Sequence, residues 1–224
     1  MAGKIAADVI ILTPKVDMAS QTIKRQLLSN YKFKEKTYSG ITAYFYDSIC
    51  VVDIDVDSIY AENVEDKFEA NLFIFATRHS AASGIPALLT HAPGNWTDEA
   101  KFGGKPRSVC IAPASSLKIA LTELVRAAEE HGLEEWKVGL EVTHHGPYVE
   151  STPTMFIELG SSEKYWRNEI AARAVAQAIM KVAESRVKGE PKFKIGVGFG
   201  GPHYAPIFTK LVKNSDIAIG HIIP

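Results

Sequence analysis

The strongest constraint on the fold of this sequence is the alternation of two hydrophobic periods along it. Short apolar runs bounded by polar and turn residues take turns with stripes spaced at 3.6 residues. Residues 72–76 are apolar at every position, the pattern of a strand buried on both faces. Residues 9–12 read as an earlier strand, followed by Asp17 as the N-cap of a helix reaching Leu28. Residues 41–46 and 49–54 predict a hairpin turning at Asp47-Ser48, and residues 109–112 a further short strand. Leu117, Ala120, Leu121, Leu124, Val125 and Ala128 form one helical stripe that stops at Gly132. Residues 138–144 and 154–159 read as strands. A second long helix, capped by Ser161 or Ser162, carries Trp166, Ile170, Ala174, Ala178 and Val182 and ends before Gly189 and Pro191. Residues 193–199 and 217–223 complete the strands. The interleaving predicts a single α/β domain over residues 1–224. Its sheet is expected to be mixed and mostly parallel, with helices on both faces.

Composition excludes several classes. The 25 basic and 26 acidic residues leave a formal charge of −1, so the chain cannot attract nucleic acid through a bulk positive field. A local basic groove remains open. The two cysteines, Cys50 and Cys110, are too few for a disulfide scaffold or a four-thiolate zinc site, and Cys110 sits among apolar residues as a core thiol does. No apolar run approaches the length of a membrane span, which predicts a cytoplasmic protein with no membrane partner. The acidic stretch Asp53, Asp55, Asp57, Glu62, Glu65, Asp66 and Glu69 lacks the glycine and terminal glutamate of a calcium loop and reads as a solvated face.

The seven histidines say more. His131 ends a helix, where a cation suits the dipole, and His221 lies within the last strand. The others follow strands: His79 in Thr77-Arg78-His79-Ser80, His91 before Pro93-Gly94-Asn95-Trp96, His144 and His145 before Gly146-Pro147, and His203 after a glycine-rich run. Ligands in open α/β sheets bind beyond the carboxyl ends of strands. The placement therefore predicts that His79, His91, His144, His145 and His203 line one pocket, with Glu141 or Glu158 close by. In a regular strand His144 and His145 point to opposite faces, so a bulge is needed to bring both inward. No HExxH, CxxC or His-x-His pair signals zinc, although distant ligands can still assemble a metal site.

Residues 196–201 match GxGxxG, but Pro202-His203-Tyr204 interrupts the usual passage into a helix. Close approach of exposed backbone N–H groups to a substrate oxyanion or phosphate is the better functional use, and a tight turn is the plain alternative. Trp96 with Lys101, Lys105 and Arg107 around Gly103-Gly104 makes a basic loop suited to gripping an RNA backbone and stacking a base.

Together these blocks, with FIELGSS at 156–162, EVTHHGP at 141–147, GGPHYAP at 200–206 and the closing Gly220-His221-Ile222-Ile223-Pro224, resemble the archaeal-type D-aminoacyl-tRNA deacylases. The resemblance keeps one order over nearly the whole sequence. It implies a fold similar to peptidyl-tRNA hydrolase and purine nucleoside phosphorylases, zinc as cofactor, and D-aminoacyl-tRNA as substrate, with no obligate protein partner. Hydrolysis of that ester needs an activated water, a stabilised oxyanion and a proton for the leaving hydroxyl. On this basis His79, Glu141, His144 and His145 are expected to be catalytic, and His91, His145, Glu158 and His203 to hold zinc. Arg78, Ser80, Asn95, Gly146, Pro147, Gly200, Gly201 and Tyr204 are expected at the substrate. Pro202 departs from the family, standing where members often carry glycine. Two other classes stay open: a zinc-dependent amidohydrolase or peptidase acting on a small molecule, and a non-catalytic RNA-binding module.

Overall fold

A computed structural model of the chain describes residues 3–224. Its centre is an 8-stranded sheet. In chain order the strands are β1 (Val9–Pro14), β2 (Lys34–Tyr38), β3 (Ile41–Tyr46), β4 (Ile49–Ile54), β5 (Leu72–Arg78), β6 (Ala87–His91), β7 (Lys137–Leu140) and β8 (Thr154–Gly160). Across the sheet they run β7-β6-β8-β5-β1-β4-β3-β2. The inner strands β8, β5, β1 and β4 are parallel, β6 is antiparallel to β8 and parallel to β7, and β2 to β4 form an antiparallel meander. The predicted hairpin lies where expected, with Asp47 in the left-handed region at its turn. Strand β2 is exposed at all its positions, and its Lys34, Glu35 and Lys36 blunt the sheet edge.

Alternation along β1 and β5 divides the core. Val9, Ile11, Leu72, Ile74 and Ala76 face the helices α1 (Met18–Asn30), α2 (Ala114–Glu130) and α3 (Glu169–Lys188). Ile10, Leu12, Phe73 and Phe75 face the other side, where Phe75 stacks on Phe156 with centroids 4.8 Å apart. The three long helices thus share one face, in contrast to the expectation of helices on both. The opposite face is roofed by irregular chain. Its main segments, 92–113 and 141–153, carry Pro93, Gly94, Gly103, Gly104, Pro106, Gly146 and Pro147, which do not sustain a helix.

Other boundaries shift for local reasons. The expected strand at 138–144 stops at Leu140, because Val142 and Thr143 turn away to donate to His203 O and Ile222 O. Residues 109–112 contribute only Val109 to a two-residue pairing of Ser108–Val109 with Gly94–Asn95. The last strands, β9 (Lys194–Phe199) and β10 (Ile217–Ile223), form a separate parallel pair joined by α4 (Pro206–Lys213), a helix too short to leave a clear period. The long helix expected from 162 is broken. Glu163–Trp166 is a single turn, and α3 restarts at Asn168, whose side chain accepts from Ala171 N–H. Ile170 is consequently 56% exposed, and the buried stripe runs through Ala171, Ala174, Val175, Ala178, Ile179 and Val182.

The acidic stretch is a solvated face only in part: Asp66 and Glu69 are exposed, while the other five carboxylates have partners. Asp53 pairs with Lys24 at 2.6 Å, Asp55 with Lys15 at 2.7 Å, and Asp57 with Arg78. Glu62 accepts from Gly104 N–H, and Glu65 accepts from the backbone of residues 150–152. Each of these carboxylates ties its own segment to another. Both cysteines are buried free thiols, pushed up by burial to about 12 for Cys50 and about 11 for Cys110. No helix among the described residues is long and apolar enough to cross a membrane.

If Asn168 caps α3, Asn168→Ala is expected to lower stability by about 1 kcal/mol in urea unfolding. Ser162→Ala, at a position without a side-chain cap, should stay within about 0.5 kcal/mol. Equal effects would mean that the helix is continuous.

Candidate active site

The site is built around Glu158, in a strand whose seven residues are all buried. His79, at the exit of β5, brings Nδ1 to 3.3 Å from Glu158 Oε2 and 3.5 Å from Glu141 Oε1. His91, ending β6, brings Nε2 to 3.7 Å from Glu158 Oε1. Because β6 opposes β5 and β8, these two strand exits lie at opposite ends. The imidazoles converge across the face of the sheet rather than on one rim of carboxyl ends. Thr77 Oγ1 also donates to Glu158, at 3.3 Å.

His144 and His145 leave the sheet together. His145 adopts φ +46°, which breaks strand alternation and swings its ring beside that of His144, with centroids 4.2 Å apart. Pro93 forms a bridge with His144, and Gly94 N–H donates to His145 O. The rings of His91 and His144 lie 4.3 Å apart, and those of His144 and His203 lie 4.5 Å apart. Phe156 floors the cluster, stacked on His91 at 5.1 Å. His203 is the side chain that opens to solvent, at 46% exposure, with Nε2 2.9 Å from Glu141 Oε1. His91, His144, His145 and His203 therefore pack ring against ring, with an opening at His203, and His79 joins them through Glu158 and Glu141.

Three rings share one tautomeric arrangement. Nδ1 lies against a backbone carbonyl in His91 (Ala92 O, 3.2 Å), His144 (Val142 O, 2.8 Å) and His145 (Gly146 O, 2.6 Å). A carbonyl only accepts, so Nδ1 carries a proton in each ring, and in His144 and His145, which burial keeps neutral, Nε2 presents a lone pair. Ligand atoms of His91, His144 and His145 lie within 4.8 Å of one another. The same holds for Glu141, His144 and His203, and for His79, Glu141 and Glu158. His203 and Glu158, expected as ligands beside His91 and His145, thus fall in neighbouring groups, and His144 takes the third place. His91 Nε2 and Glu141 Oε2 are buried without a hydrogen-bond partner, and Glu141 Oε1 meets His203 Nε2 as a close ionic contact that is not aligned as a hydrogen bond.

Charge in the cluster is uneven. Burial alone pushes the Glu158 carboxyl up, but the hydrogen bonds and charges of His79 and His91 hold it well below the usual range. Burial pulls His79 and His91 down, and Glu158, followed by Glu141, more than reverses this and raises both. His144 lies well below its ordinary value through burial and the neighbouring imidazoles, and His145 is lowered to about 4 for the same reasons. The site thus combines a carboxylate–imidazolium pair with neutral donor rings.

Several expected substrate contacts have structural employment. Arg78 is held between Asp57 and Asp17, and Asp17 also caps α1 and accepts Arg78 N–H. Asn95 Nδ2 donates to Gly103 O and Lys105 O inside its own loop. Gly146 uses its N–H on Phe102 O and accepts from His145 with its carbonyl, and the Pro147 carbonyl accepts from the Cys110 thiol. Gly200 donates to Ile223 O, and Gly200 and Gly201 form a positive-φ turn before His203. Ser80 is exposed beside His79. Tyr204 does reach the cluster, with its hydroxyl 3.2 Å from His79 Nε2. In the basic loop Lys101 and Arg107 pair with Glu99 and Asp98, and Trp96 spends its indole N–H on Thr143 O.

Three supporting residues lie outside the expected site set, although Thr143 and His221 fall within the blocks that carry the family resemblance. Trp166 Nε1 donates to His79 O at 2.8 Å, although its position suggested a helix stripe. His221 bridges Thr143 Oγ1 (2.9 Å) and Cys110 O (3.0 Å), and Thr143 immediately precedes the paired histidines. These contacts join distant segments, which spacing along the chain does not reveal.

A family model of D-aminoacyl-tRNA deacylases matches residues 66–224. The chain belongs to the D-aminoacyl-tRNA deacylase family. A D-aminoacyl-tRNA deacylase of Pyrococcus furiosus is 38% identical over 225 residues, covering 96% of this chain and 79% of that protein. One from Thermococcus kodakarensis is 39% identical over 223 residues, with 96% and 79% covered, and one from Methanosarcina barkeri is 34% identical over 227, with 96% and 72% covered. A crystal structure of a conserved protein of unknown function superposes with a TM-score of 0.86 at 30% identity, covering all of this chain and 77% of that one. The deacylase fold described above is thus shared along the whole chain.

His221 provides a test of how the deacylase site is braced. Burial lowers its pKa below the ordinary 6.5, so its neutral, doubly bonded form contributes fully above pH 6.5 and loses ground as pH falls. His221→Phe is expected to cost about 2 kcal/mol at pH 8 and less at pH 5. Urea unfolding at both values checks this; a cost that grows toward acid would show that the charged form makes the bridge.

Proposed function

We propose that the chain hydrolyses the ester between a D-amino acid and the terminal ribose of tRNA, releasing the free amino acid and reusable tRNA. The observation that carries this reading is the set of three imidazole Nε2 atoms converging beside two buried carboxylates, one of them facing an accessible histidine. The names of the relatives support the substrate.

The residues suit zinc. His144 and His145, held neutral, offer two nitrogen donors, and His91, whose Nε2 is buried without a hydrogen-bond partner, would complete the set once a cation took the place of its proton. Bound there, zinc supplies Lewis-acid polarisation of the ester carbonyl or of the attacking water. His203 is turned toward Glu141 by Nε2, which leaves Nδ1 to accept a proton from that water while Glu141 compensates the charge the ring gains. His79, kept protonated by Glu158, passes a proton from Nε2 through the Tyr204 hydroxyl to the departing ribose oxygen. Trp166 fixes the backbone of His79 during that transfer.

Selection of the D enantiomer needs a wall that does not yield. The chain at Gly146 interlocks with residues 59 and 103–104: a Cβ on Gly146 would lie 2.3 Å from Ile59 O and 2.4 Å from Gly104 N. This wall adjoins His145. A clash of about 3–4 kcal/mol with an L side chain gives a few-hundred-fold preference.

The test supplies D-Tyr-tRNA and L-Tyr-tRNA and follows release of labelled amino acid. D-Tyr-tRNA is expected to react at least about a hundred-fold faster. His144→Ala and His145→Ala should each lower the D rate by roughly a hundred-fold or more and reduce zinc from about one per chain toward zero. Equal rates on both enantiomers remove the chiral role. Full activity in both variants removes the site.

A further inference from the structure

We propose that a lysine-lined cleft beside Tyr204 binds a backbone phosphodiester of the 3′ strand of the tRNA substrate, next to the aminoacylated ribose. The proposal rests on the deacylase reading above and names where that site grips its RNA. The cleft measures about 260 Å³ and lies between the start of β7 and α4, lined by Lys137, Tyr204, Thr209, Lys210 and Lys213 among others. Lys137 comes from β7, whereas Lys210 and Lys213 lie one turn apart on α4, so the fold gathers charges that are separate in the sequence.

No carboxylate among the described residues pairs with these three lysines. Lys15, Lys24, Lys101, Lys188 and Lys194 each pair with a carboxylate. Lys137, Lys210 and Lys213 have no ion pair among the described residues, and each is exposed. Three such ammonium groups around a concavity repel one another and favour an anion between them. The chain is nearly neutral overall, so this cleft is a local feature and not part of a general positive field.

Tyr204 joins the cleft to the chemistry. Its hydroxyl lies 3.2 Å from His79 Nε2, while Lys137 Nζ stands 3.4 Å from the centre of its ring. One side chain therefore separates the proton relay from the lysines. An ester placed at His79 puts the remainder of its own nucleotide across the tyrosine ring, with the phosphate toward Lys137 and α4. Phosphate contacts position a nucleic acid without reading its sequence. The loop at 101–107, the other basic candidate, has Lys101 and Arg107 already paired with Glu99 and Asp98.

The test measures binding of fluorescently labelled uncharged tRNA between about 50 and about 200 mM KCl. It uses the wild-type chain, Lys210→Glu/Lys213→Glu and Lys210→Arg/Lys213→Arg, with thermal unfolding as a check on each. The Glu pair is expected to raise Kd by about ten-fold or more and to reduce the slope of log K against log salt by about 1.5, two lost phosphate-facing charges. The Arg pair should bind within about two-fold of wild type, since charge is what the cleft supplies. A Glu pair that binds as wild type with the same slope overturns the proposal. So does an Arg pair as weak as the Glu pair. Wild-type hydrolysis of D-Tyr-tRNA, read in parallel, separates the two readings: its absence sinks the activity, whereas unchanged tRNA affinity in the variants sinks the cleft alone.

Discussion

A carboxylate buried in the middle of a strand is the constraint around which this molecule is arranged. Glu158 is 3% exposed, and an unpaired charge there would cost several kcal/mol or more. The fold answers with His79 from one neighbouring strand, His91 from the other and the Thr77 hydroxyl. These donors come from opposite sides because β8 is parallel to β5 and antiparallel to β6. A fully parallel sheet would carry His91 to the wrong end. The reversal of strand direction between β8 and β6 is thus what allows two strand-exit histidines to meet over one carboxylate.

The second layer of the site follows from the first. Burial drives His144 and His145 toward the neutral form, and the positive character that His91 gains beside Glu158 adds to it. Backbone carbonyls then select the tautomer, leaving Nε2 bare on each ring. The left-handed turn at His145 places its ring beside His144. Bracing comes from outside the cluster, through Trp96 and His221 on Thr143 and Trp166 on His79. The glycines near the site serve mainly this packing: Gly103, Gly104 and Gly146 let three backbone segments touch.

Much of the fold is legible in the sequence because burial leaves a period. The all-apolar run at 72–76, the hairpin at 41–54 and the stripe of α2 all lie where the pattern puts them. The failures share a cause. The helix break at Asn168, the departure of residues 141–145 from β7 and the roof of irregular chain depend on hydrogen bonds between distant segments. The site divides the same way. That histidines follow strands is visible in the sequence, so the five-ring cluster can be anticipated. Which ring faces which partner depends on strand direction and on one φ angle, and neither is written in spacing. Arg78 and Asn95, expected at the substrate from their motifs, have scaffold partners that their spacing does not reveal. Lys137, Lys210 and Lys213 carry no motif at all.

The account turns on the rings of His144 and His145 being neutral, protonated at Nδ1 and bare at Nε2. Long-range ¹H–¹⁵N correlation spectra of ¹⁵N-histidine-labelled protein, freed of metal by chelator and recorded at pH 7, read this state directly. Signals of the Nδ1–H tautomer are predicted for both residues, assigned through His144→Gln and His145→Gln. Imidazolium signals, or the Nε2–H tautomer, at either position would contradict the arrangement and leave the cluster without its converging donors.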